Sequence, residues 1–552
     1  MRGRQVFMDS LVAHGADAIF GNPGTTENPL LDSLLDYPAI NYYVALHEGV
    51  AVGAAGYYAR ASGKTAIANL HVAPGFGNAI GMLYGVLKGS APVIVTAGQQ
   101  DTRFRLRDPI LRHDLVAMAA PVTKWAVEPQ SADELGEVMR RAFKIANDPP
   151  MGPVFVALPI NVMEQETDFG AVTTGPLYRE VSADQRGIEH LAEALLASKN
   201  PVVVAGDEVS NEGAQDALVT LAETTGAGVF IEYLHTRQPI SNRHPNYCGR
   251  IPYEFGLVRK ALEDHDLVMM IGGQFFEEVW YDDVSPFADG AVVAQLESAE
   301  SRLAHNFALD IGLVGGLKTS LEALTEAVRK KATDATQDAS KTRNAGYQSA
   351  ARAAREQAVA NLERQRGANP MAPAEALAVV AQSLPEGTVV VDETITGALD
   401  LAQAIEAKHD SFYGGRGGGI GQCLAGALGI AAANQDKLVA AFSGDGSAMY
   451  SIQALWTAAH HDLNLLYVIM SNREYRVLKH NLDTYRRRFD ALAERPYPHM
   501  DLSKPHLGFV HMARGMGVPG SQATTPDEIR AALSEALKQP GPYLLDLVVA
   551  GK

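Results

Sequence analysis

Short, continuous runs of apolar and often β-branched residues recur along the whole chain, and most of them end in Gly, Asn, Asp or Pro. Stretches rich in Ala and Leu, with helical spacing, follow them. Continuous rather than alternating apolarity is typical of strands buried on both faces, and hence of parallel sheets covered by helices. The sequence therefore predicts an α/β fold built from doubly wound parallel sheets. The clearest runs are KTAIANLH (64–71), PVIVTAG (92–98), PVFVALP (153–159), NPVVVAGD (200–207), DLVMMIGG (266–273), GTVVVDE (387–393), KLVAAFSGD (437–445) and PYLLDLVV (542–549).

Two stretches interrupt this pattern. Residues 165–184 are polar and contain Gly and Thr, and residues 330–370 are charged and Ala-rich with only scattered apolar side chains. The second stretch is typical of an exposed helical linker. A chain of 552 residues has room for about three domains. We predict three domains at 1–175, 185–330 and 368–552, with a linker at 331–367.

The composition argues against several classes of function. Lys and Arg number 47 and Asp and Glu 64, so the formal net charge is −17. This charge argues against a nucleic acid or an anionic membrane surface as the main partner. Cys248 and Cys423 are far apart in the sequence, so neither a disulfide framework nor a cysteine metal cluster is expected. No apolar run suits a membrane span or a signal peptide, and we expect a cytoplasmic protein.

The most specific local motif lies near the carboxyl end of the chain. One apolar run, KLVAAFS, ends in GDGS (444–447), and the next, LNLLYVIM, ends in SN (471–472). Parallel strands end at the same sheet edge, where doubly wound folds bind ligands, so Asp445 and Asn472 would supply two hard oxygen donors. Such donors suit Mg²⁺, which takes its other ligands from phosphate and water. For the tripeptide alone, a tight turn with a capping Asp is an equal alternative.

The spacing of these two motifs resembles the diphosphate and metal motif of thiamine-diphosphate enzymes, in which an Asn-Asn pair follows GDG after about 25 residues. Here Ser471 replaces the first Asn, while the second, which binds metal in that family, is present. Other stretches are similar to the benzoylformate decarboxylases of the 2-oxo acid decarboxylase and acetolactate synthase superfamily. They are FGNPGTTENP (20–29), ALHEGVAVGAAGYYARASGK (45–64), NLHVAPGFGNAIG (69–81), PVIVTAGQQ (92–100) and GDGSAMYSIQALWTAA (444–459).

This resemblance implies an architecture and an activity. The three domains would be pyrimidine-binding, middle and diphosphate-binding, with thiamine diphosphate and Mg²⁺ as cofactors. The active site would form between the first domain of one subunit and the third domain of another, so we expect at least a homodimer and usually a homotetramer. The expected reaction is non-oxidative decarboxylation of a 2-oxo acid, similar to benzoylformate, to an aldehyde and CO₂. The alternatives are a carboligase similar to acetolactate synthase, a 2-hydroxyacyl-CoA lyase, and a family member that only regulates or scaffolds.

Three catalytic residues follow from the resemblance. Glu48 matches the glutamate that hydrogen-bonds the aminopyrimidine ring of the cofactor, and a carboxylate in the apolar helix start HEGVAVGAA would be costly without such a role. His71 matches a histidine that faces the reacting carbon, where a neutral imidazole can transfer protons. A strand-end histidine bonded to the backbone is the alternative. Thr25 matches a serine that contacts the substrate carboxylate.

The resemblance also implies which residues contact the cofactor. Gly418 would offer its carbonyl group to the 4′-amino group, and Ile420 would be the apolar wedge that keeps the cofactor bent. The metal ligands would be Asp445, Asn472 and the backbone carbonyl of Glu474. The other expected cofactor contacts are Pro23, Asn78, Thr394, Thr396, Gly446, Ser447 and Tyr475, with Ile395 in the place of a hydroxyl residue.

Two features depart from the family pattern. A second family histidine should fall in GGQFFEEVWYDD (272–283), which contains none, and the nearest, His265, precedes the strand. The basic segment, residues 473–488, carries six Lys and Arg against two acidic side chains. It could bind an anionic substrate group or a coenzyme A phosphate, or it could be a solvated helix or a subunit contact. Arg473, Arg476, His480 and Asn481 are the expected substrate-side residues there.

The middle domain has the doubly wound pattern, but no complete GxGxxG follows any of its strands. FAD and NAD are therefore not indicated, although a vestigial nucleotide cleft is compatible with the sequence.

Overall fold

A computed structural model of the protein describes residues 1–277, 279–491 and 495–551. Three parallel sheets of six strands each, with flanking helices, form its framework, so the predicted fold class is confirmed. Each of the eight apolar runs named above contains a strand, and in five of these strands every residue is buried. This burial on both faces explains why apolarity is continuous in these strands.

The strands are numbered in chain order. The first sheet has the order β2-β1-β3-β4-β6-β5, with β1 (Ala18–Gly21), β2 (Asn41–Val44), β3 (Ala66–Leu70), β4 (Val93–Gln99), β5 (Ala126–Val127) and β6 (Val154–Pro159). The second has the order β12-β11-β10-β7-β8-β9, with β7 (Pro201–Ala205), β8 (Gly228–Ile231), β9 (Tyr247–Arg250), β10 (Leu267–Ile271), β11 (Val292–Glu297) and β12 (Ile311–Val314). The third has the order β14-β13-β15-β16-β18-β17, with β13 (Val389–Glu393), β14 (Phe412–Tyr413), β15 (Val439–Gly444), β16 (Leu465–Ser471), β17 (Gly520–Ala523) and β18 (Tyr543–Val548).

Helices connect the strands. None of the helices in the described ranges combines the length and apolarity that crossing a bilayer requires. The helices are α1 (Gly3–Ala13), α2 (Asn28–Ser33), α3 (Glu48–Ser62), α4 (Val72–Lys88), α5 (Leu115–Ala119), α6 (Leu135–Asn147), α7 (Ile160–Glu164), α8 (Gln185–Ala197), α9 (Glu208–Asn211), α10 (Gln215–Thr225), α11 (Phe255–Leu262), α12 (Leu317–Lys331), α13 (Asp334–Gln365), α14 (Pro373–Ser383), α15 (Ala398–Ala404), α16 (Gln422–Ala433), α17 (Asp445–Ala448), α18 (Ala454–His460), α19 (Arg476–Arg488), α20 (Phe509–Gly515) and α21 (Pro526–Ala536).

The chain forms two compact units. One comprises residues 1–175, 365–404 and 415–552, and the other comprises residues 176–364 and 405–414. The first unit contains the whole first sheet, and the second unit contains the whole second sheet. The predicted linker region contains α13, a helix of 32 residues in which Ser340 is the only buried residue.

In the first unit, α3 packs closely against α16 through small residues. A Cβ atom on Gly429 would lie 1.9 Å from the carbonyl oxygen of Ala54, and one on Gly426 would lie 2.6 Å from the ring of Tyr57. Only glycine allows two helix backbones to approach so closely. Helix α3 begins at Glu48, and α16 directly follows the glycine-rich residues 416–421.

In the second unit, Glu297 is a fully buried acidic side chain in the core. Glu297, the last residue of β11, is 0% exposed. Its Oε1 accepts hydrogen bonds from Gln295 Nε2 (3.0 Å) and from the backbone N–H of Gly273 (3.2 Å). Its Oε2 has no hydrogen-bond partner among the described residues. Burial raises the pKa of Glu297 from 4.5 to about 8, although Gln295 and the positive charge of Arg302 oppose the rise.

This pKa predicts a pH-dependent stability. Between pH 4.5 and 8 the folded chain retains a proton that the unfolded chain has released, so the free energy of unfolding falls as the pH rises. Glu297→Gln abolishes this titration, so its advantage over the wild type should grow by about 1–2 kcal/mol between pH 6 and 8. Thermal unfolding of both proteins at the two pH values measures the effect. An equal difference in Tm at both values would contradict the assignment.

Candidate active site

Glu48, the first residue of α3, accepts hydrogen bonds from two asparagine side chains. It is 6% exposed. Its Oε1 accepts a hydrogen bond from Asn22 Nδ2 (3.1 Å), and its Oε2 accepts one from Asn78 Nδ2 (3.0 Å). A Cβ atom on Gly75 would come within 2.9 Å of Oε1, so a glycine leaves room for the carboxylate. Asn78, predicted to contact the cofactor, therefore contacts the predicted cofactor-activating glutamate within the chain.

His71, directly before α4, is paired with a buried carboxylate. Its Nδ1 lies 2.8 Å from Oε2 of Glu27, whose side chain is 1% exposed. The Glu27 carboxylate also accepts hydrogen bonds from the backbone N–H groups of Gly24 (2.8 Å) and Gly98 (2.7 Å) and from the hydroxyl of Thr26 (2.9 Å). Because a carboxylate can only accept, we assign the proton of the neutral ring to Nδ1, which leaves Nε2 as an acceptor.

The backbone around His71 fits this pairing closely. A Cβ atom on Gly24 would lie 2.2 Å from Nδ1 of His71, so the ring can occupy this position only against a glycine. The next residue, Val72, is buried with φ +41°, a conformation that β-branched residues rarely adopt. Such local strain is common at functional sites. The neighbouring Thr25 is exposed, and Pro23 is partly buried.

The predicted metal ligands come together at the carboxyl edge of the third sheet. β15 and β16 are neighbours, so Asp445 and residues 472–474 lie side by side. The two oxygens of Asp445 accept hydrogen bonds from the backbone N–H groups of Gly446 (2.8 Å) and Arg473 (2.6 Å). Oδ1 of Asn472 accepts one from the N–H of Glu474 (3.1 Å). Burial raises the pKa of Asp445 to about 6, and the hydrogen bonds oppose this rise.

The surroundings of Asp445 are tightly packed. A Cβ atom on Gly446 would lie 2.6 Å from the ring of Tyr475, and Ser447 is buried. Within the described ranges, no group of three or more His, Cys, Asp and Glu side chains could hold a metal. The predicted site is of another type, because it combines one carboxylate, one amide oxygen and one backbone carbonyl.

The hydroxyl residues after β13 differ in what they contact. Both the backbone N–H and the hydroxyl of Thr394 donate to Oδ1 of Asp392, at 2.9 and 2.7 Å. Ile395 has φ +55°, a second strained β-branched residue, and Thr396 is exposed. The hydroxyl of Thr394 is thus used within its own loop. Diphosphate binding by Thr394 and Thr396 stays a prediction.

The glycine-rich loop, residues 416–421, contains three glycines with positive φ: +81° at Gly417, +72° at Gly418 and +93° at Gly421. Gly418 is exposed and Ile420 is partly buried. Other L-residues rarely adopt these angles, which explains the excess of glycine in this segment. The loop is therefore a defined turn with an accessible backbone at Gly418.

The predicted site residues form two separate groups in one chain. Glu48 and His71 lie at helix starts beside the first sheet, whereas Asp445 and Asn472 directly follow strands of the third sheet. Among the described residues, no hydrogen bond or ion pair joins a member of one group to a member of the other.

Two positive charges of the basic segment are used inside the protein. Lys479 pairs with Glu474 and lies 5.5 Å from the ring centre of Tyr497. Arg486 is 6% exposed and donates to the carbonyl oxygen of Pro496 (2.8 Å). Its guanidinium also lies over the ring of Tyr497, at 5.1 Å. Both cations are thus engaged by neighbouring groups of the same chain.

The other predicted residues of this segment lie nearer the surface. Arg473 is exposed with φ +59°, His480 is exposed, and Asn481 is partly buried. Arg476 lies close enough to Asp400 to affect its titration. Burial raises the pKa of Asp400, and the positive charge of Arg476 opposes that rise. Arg473 and Arg476 thus remain the candidates for contact with an anionic group.

The second sheet has an acidic edge where its strand order reverses between β7 and β10. Oε1 of Glu232 accepts hydrogen bonds from the backbone N–H groups of Gln274 (3.1 Å) and Phe275 (2.9 Å). Glu208 pairs with Arg302 at 2.7 Å. Doubly wound folds bind nucleotides at this position, through backbone N–H groups that face a phosphate. Here Glu232 accepts from two amides that follow β10, and its Oε2 lies 2.7 Å from the Cβ position of Gly206, in the turn after β7.

His265 does not replace the missing middle-domain histidine. Its Nδ1 lies 3.0 Å from the carbonyl oxygen of Asn200, and burial lowers its pKa. The ring therefore hydrogen-bonds the backbone of Asn200, directly before β7.

Two residues of the site escaped sequence reasoning: Glu27, which binds His71, and Glu393, which accepts from the backbone next to the glycine-rich loop. The only local signal for Glu27 was its position three residues after Gly24, which is typical of a helix start.

Family models of thiamine pyrophosphate enzymes match most of the chain. The N-terminal TPP-binding domain matches residues 1–118, the central domain residues 188–324, and the C-terminal TPP-binding domain residues 396–547. Benzoylformate decarboxylase of Pseudomonas aeruginosa is 30% identical over 542 residues, covering 97% of this chain and 96% of that protein. A Mycobacterium tuberculosis protein provisionally named an acetolactate synthase large subunit is 28% identical over 551 residues, covering 100% and 99%.

Solved structures give the same result. Benzoylformate decarboxylase from Polynucleobacter necessarius superimposes with a TM-score of 0.88 at 25% identity, covering 100% of this chain and 99% of that one. A thiamine diphosphate-dependent 4-hydroxybenzoylformate decarboxylase from Rhodococcus jostii has a TM-score of 0.85 at 26% identity, with complete coverage of both chains. The chain belongs to the family of thiamine pyrophosphate enzymes.

Proposed function

We propose that the protein catalyses the thiamine diphosphate- and Mg²⁺-dependent, non-oxidative decarboxylation of a 2-oxo acid similar to benzoylformate. The observation that carries this proposal is the pair of Glu27 and His71. Glu27 holds the His71 ring in the tautomer that leaves Nε2 as an acceptor, in the same domain as Glu48. The names of the relatives from Pseudomonas aeruginosa, Polynucleobacter necessarius and Rhodococcus jostii agree with this reaction class.

The residues present fit the cofactor and the metal. Asp445 and Asn472 offer hard oxygen atoms from neighbouring strand ends, which is the chemistry that Mg²⁺ prefers. A metal ion there would favour the ionised form of Asp445 against the effect of burial. Gly418 has an exposed backbone with no atom within 4 Å of its Cβ position, so a ring can approach it.

The roles of the chain's own groups follow from this geometry. When bound, thiamine diphosphate supplies the electron sink for cleavage of the bond to CO₂. Glu48 would hold a proton shared with the aminopyrimidine ring, while Asp445 and Asn472 would anchor the diphosphate through the metal. Nε2 of His71 would first take up a proton from solvent, which gives an imidazolium beside the Glu27 carboxylate, and would then donate that proton to the carbon from which CO₂ has left. The hydroxyl of Thr25 would contact the substrate carboxylate.

Two observations favour a decarboxylase over a coenzyme A lyase or a carboligase with a bound nucleotide. Lys479 and Arg486 in the basic segment are engaged within the protein, which leaves fewer cations for phosphates. At the edge of the second sheet, Oε2 of Glu232 lies 2.7 Å from the Cβ position of Gly206, in the turn after β7 where a pyrophosphate would bind. We infer that the middle domain binds no nucleotide.

We further propose that the active site is completed between subunits. In the part of the chain that the structure describes, no hydrogen bond or ion pair joins Glu48 or His71 to Asp445 or Asn472. A homodimer would bring the first sheet of one subunit to the third sheet of its partner. This proposal includes the family's usual tetramer as a pair of such dimers.

The proposal is tested by product analysis of the wild-type protein with thiamine diphosphate and Mg²⁺. A panel should include benzoylformate, 4-hydroxybenzoylformate and pyruvate. We expect an aromatic 2-oxo acid to give CO₂ and an equal amount of free aldehyde. Glu48→Gln should fold normally and lose at least about 100-fold in kcat, because the amide cannot carry the shared proton. A ligation product or cleavage of an acyl-CoA as the main reaction would refute the decarboxylase, and so would the absence of CO₂ from every acid.

The role of Glu27 is tested by Glu27→Gln. The amide would place an N–H₂ group against N–H donors, so His71 should change its tautomer or turn away. We expect kcat to fall at least about tenfold with a smaller change in KM. The control is a cycle with His71→Ala: the double variant should be no slower than His71→Ala alone. Independent, multiplicative losses would show that Glu27 acts by another route.

A further inference from the structure

Glu393 joins two segments that the proposed function assigns to the cofactor. It is the last residue of β13 and is partly buried. Its Oε1 accepts hydrogen bonds from the backbone N–H groups of Gly421 (2.9 Å) and Gln422 (3.0 Å), and its Oε2 accepts one from Cys423 (3.2 Å). These N–H groups belong to the start of α16, which has no partner of its own for them because Gly421 has no side chain.

The carboxylate thereby determines where the glycine-rich loop ends. A helix start needs an acceptor for its first N–H groups, and a negative charge is favoured there by the helix dipole. Residues 416–421 run directly into this helix start, so the loop can adopt only conformations that reach the three bonds to Glu393. Burial raises the pKa of Glu393 to about 7, and the three N–H groups oppose the rise.

Two further side chains fix the same loop. Nε2 of Gln422 donates to the carbonyl oxygens of Arg416 (2.8 Å) and Gly419 (2.7 Å), and the hydroxyl of Ser451 donates to the carbonyl oxygen of Gly421 (2.7 Å). These bonds close the loop on itself and tie it to the residues before α18. The bonds of Glu393, together with the Cys423 thiol, which donates to the carbonyl oxygen of Val391 (3.4 Å), connect the start of α16 to the strand that leads into residues 394–396.

We infer that Glu393 is a positioning residue that holds the glycine-rich loop in the conformation required to bind the aminopyrimidine half of thiamine diphosphate. This inference rests on the proposed roles of Gly418 and Ile420. Glu393 itself need not touch the cofactor: it acts through the backbone of residues 421–423. Its loss should therefore weaken binding of the whole cofactor far more than binding of the diphosphate portion alone, which Asp445 and Asn472 serve.

The test is a binding measurement on Glu393→Gln with Mg²⁺ present, and it does not depend on the substrate. Thiamine diphosphate is titrated by quenching of intrinsic fluorescence, and inorganic pyrophosphate is measured as its competitor. We expect the Kd for thiamine diphosphate to rise at least tenfold and the inhibition constant of pyrophosphate to change less than threefold. Far-UV circular dichroism and thermal unfolding establish that the variant is folded at the temperature of the titration.

The control is Thr525→Ala, which removes another cap from the same sheet's helices: the Thr525 hydroxyl accepts from Glu528 N at 3.3 Å, within the first turn of α21. It should leave both constants unchanged. If Glu393→Gln does not fold, the same two constants are measured on Glu393→Asp. This variant keeps the negative charge, but its side chain is one methylene shorter and so moves the carboxylate away from the three N–H groups. An unchanged Kd for thiamine diphosphate in a folded variant, or an equal loss for pyrophosphate, would overturn the inference. A raised Kd for thiamine diphosphate with unchanged pyrophosphate inhibition would support the inference even if the wild type released no CO₂ from any 2-oxo acid, a result that would refute the proposed function alone.

Discussion

Hydrogen bonds from backbone N–H groups to carboxylates order several loops of this protein. These carboxylates lie near the ends of parallel strands. Glu27 after β1, Glu232 after β8, Glu393 at the end of β13 and Asp445 after β15 each receive two or three such bonds. Buried N–H groups without an acceptor would cost free energy at each loop. A carboxylate can satisfy several of them at once, and it therefore fixes the loop that follows a strand.

This arrangement has different consequences in the three sheets. In the first sheet, the Glu27 carboxylate binds two backbone N–H groups and also accepts a hydrogen bond from Nδ1 of His71. In the third sheet, Asp445 lies beside Asn472 and can serve a metal, while Glu393 orders the loop that leads to α16. In the second sheet, Glu232 accepts from two amides after β10 and places its carboxylate beside the turn after β7. The same type of contact thus supports the proposed site residues in two sheets and an acidic edge in the other.

The sequence predicted the parts of this structure that depend on local patterns. Burial on both faces makes a strand continuously apolar, so the three parallel sheets could be predicted. The GDGS motif predicted that Asp445 and residues 472–474 would meet, because adjacent parallel strands end at the same edge. The link from Glu27 to His71 could not be predicted, since it arises from the pairing of β1 with β3, whose partners are distant in sequence. The charge pattern of the basic segment likewise could not show that Arg486 would be buried over Tyr497, because which face of α19 packs inward depends on residues after the helix.

In the proposed reaction, Glu48 activates a thiamine diphosphate whose metal is held by Asp445 and Asn472. A crystal structure of the protein with thiamine diphosphate and Mg²⁺ tests it most directly, through the distance between the Glu48 carboxylate and the aminopyrimidine N1′. We expect a hydrogen bond of about 3 Å between the Glu48 carboxylate and N1′. Glu48 should come from one subunit and the metal ligands from its partner. A Glu48 carboxylate beyond hydrogen-bonding reach of the ring, or a metal bound without Asp445, would contradict it.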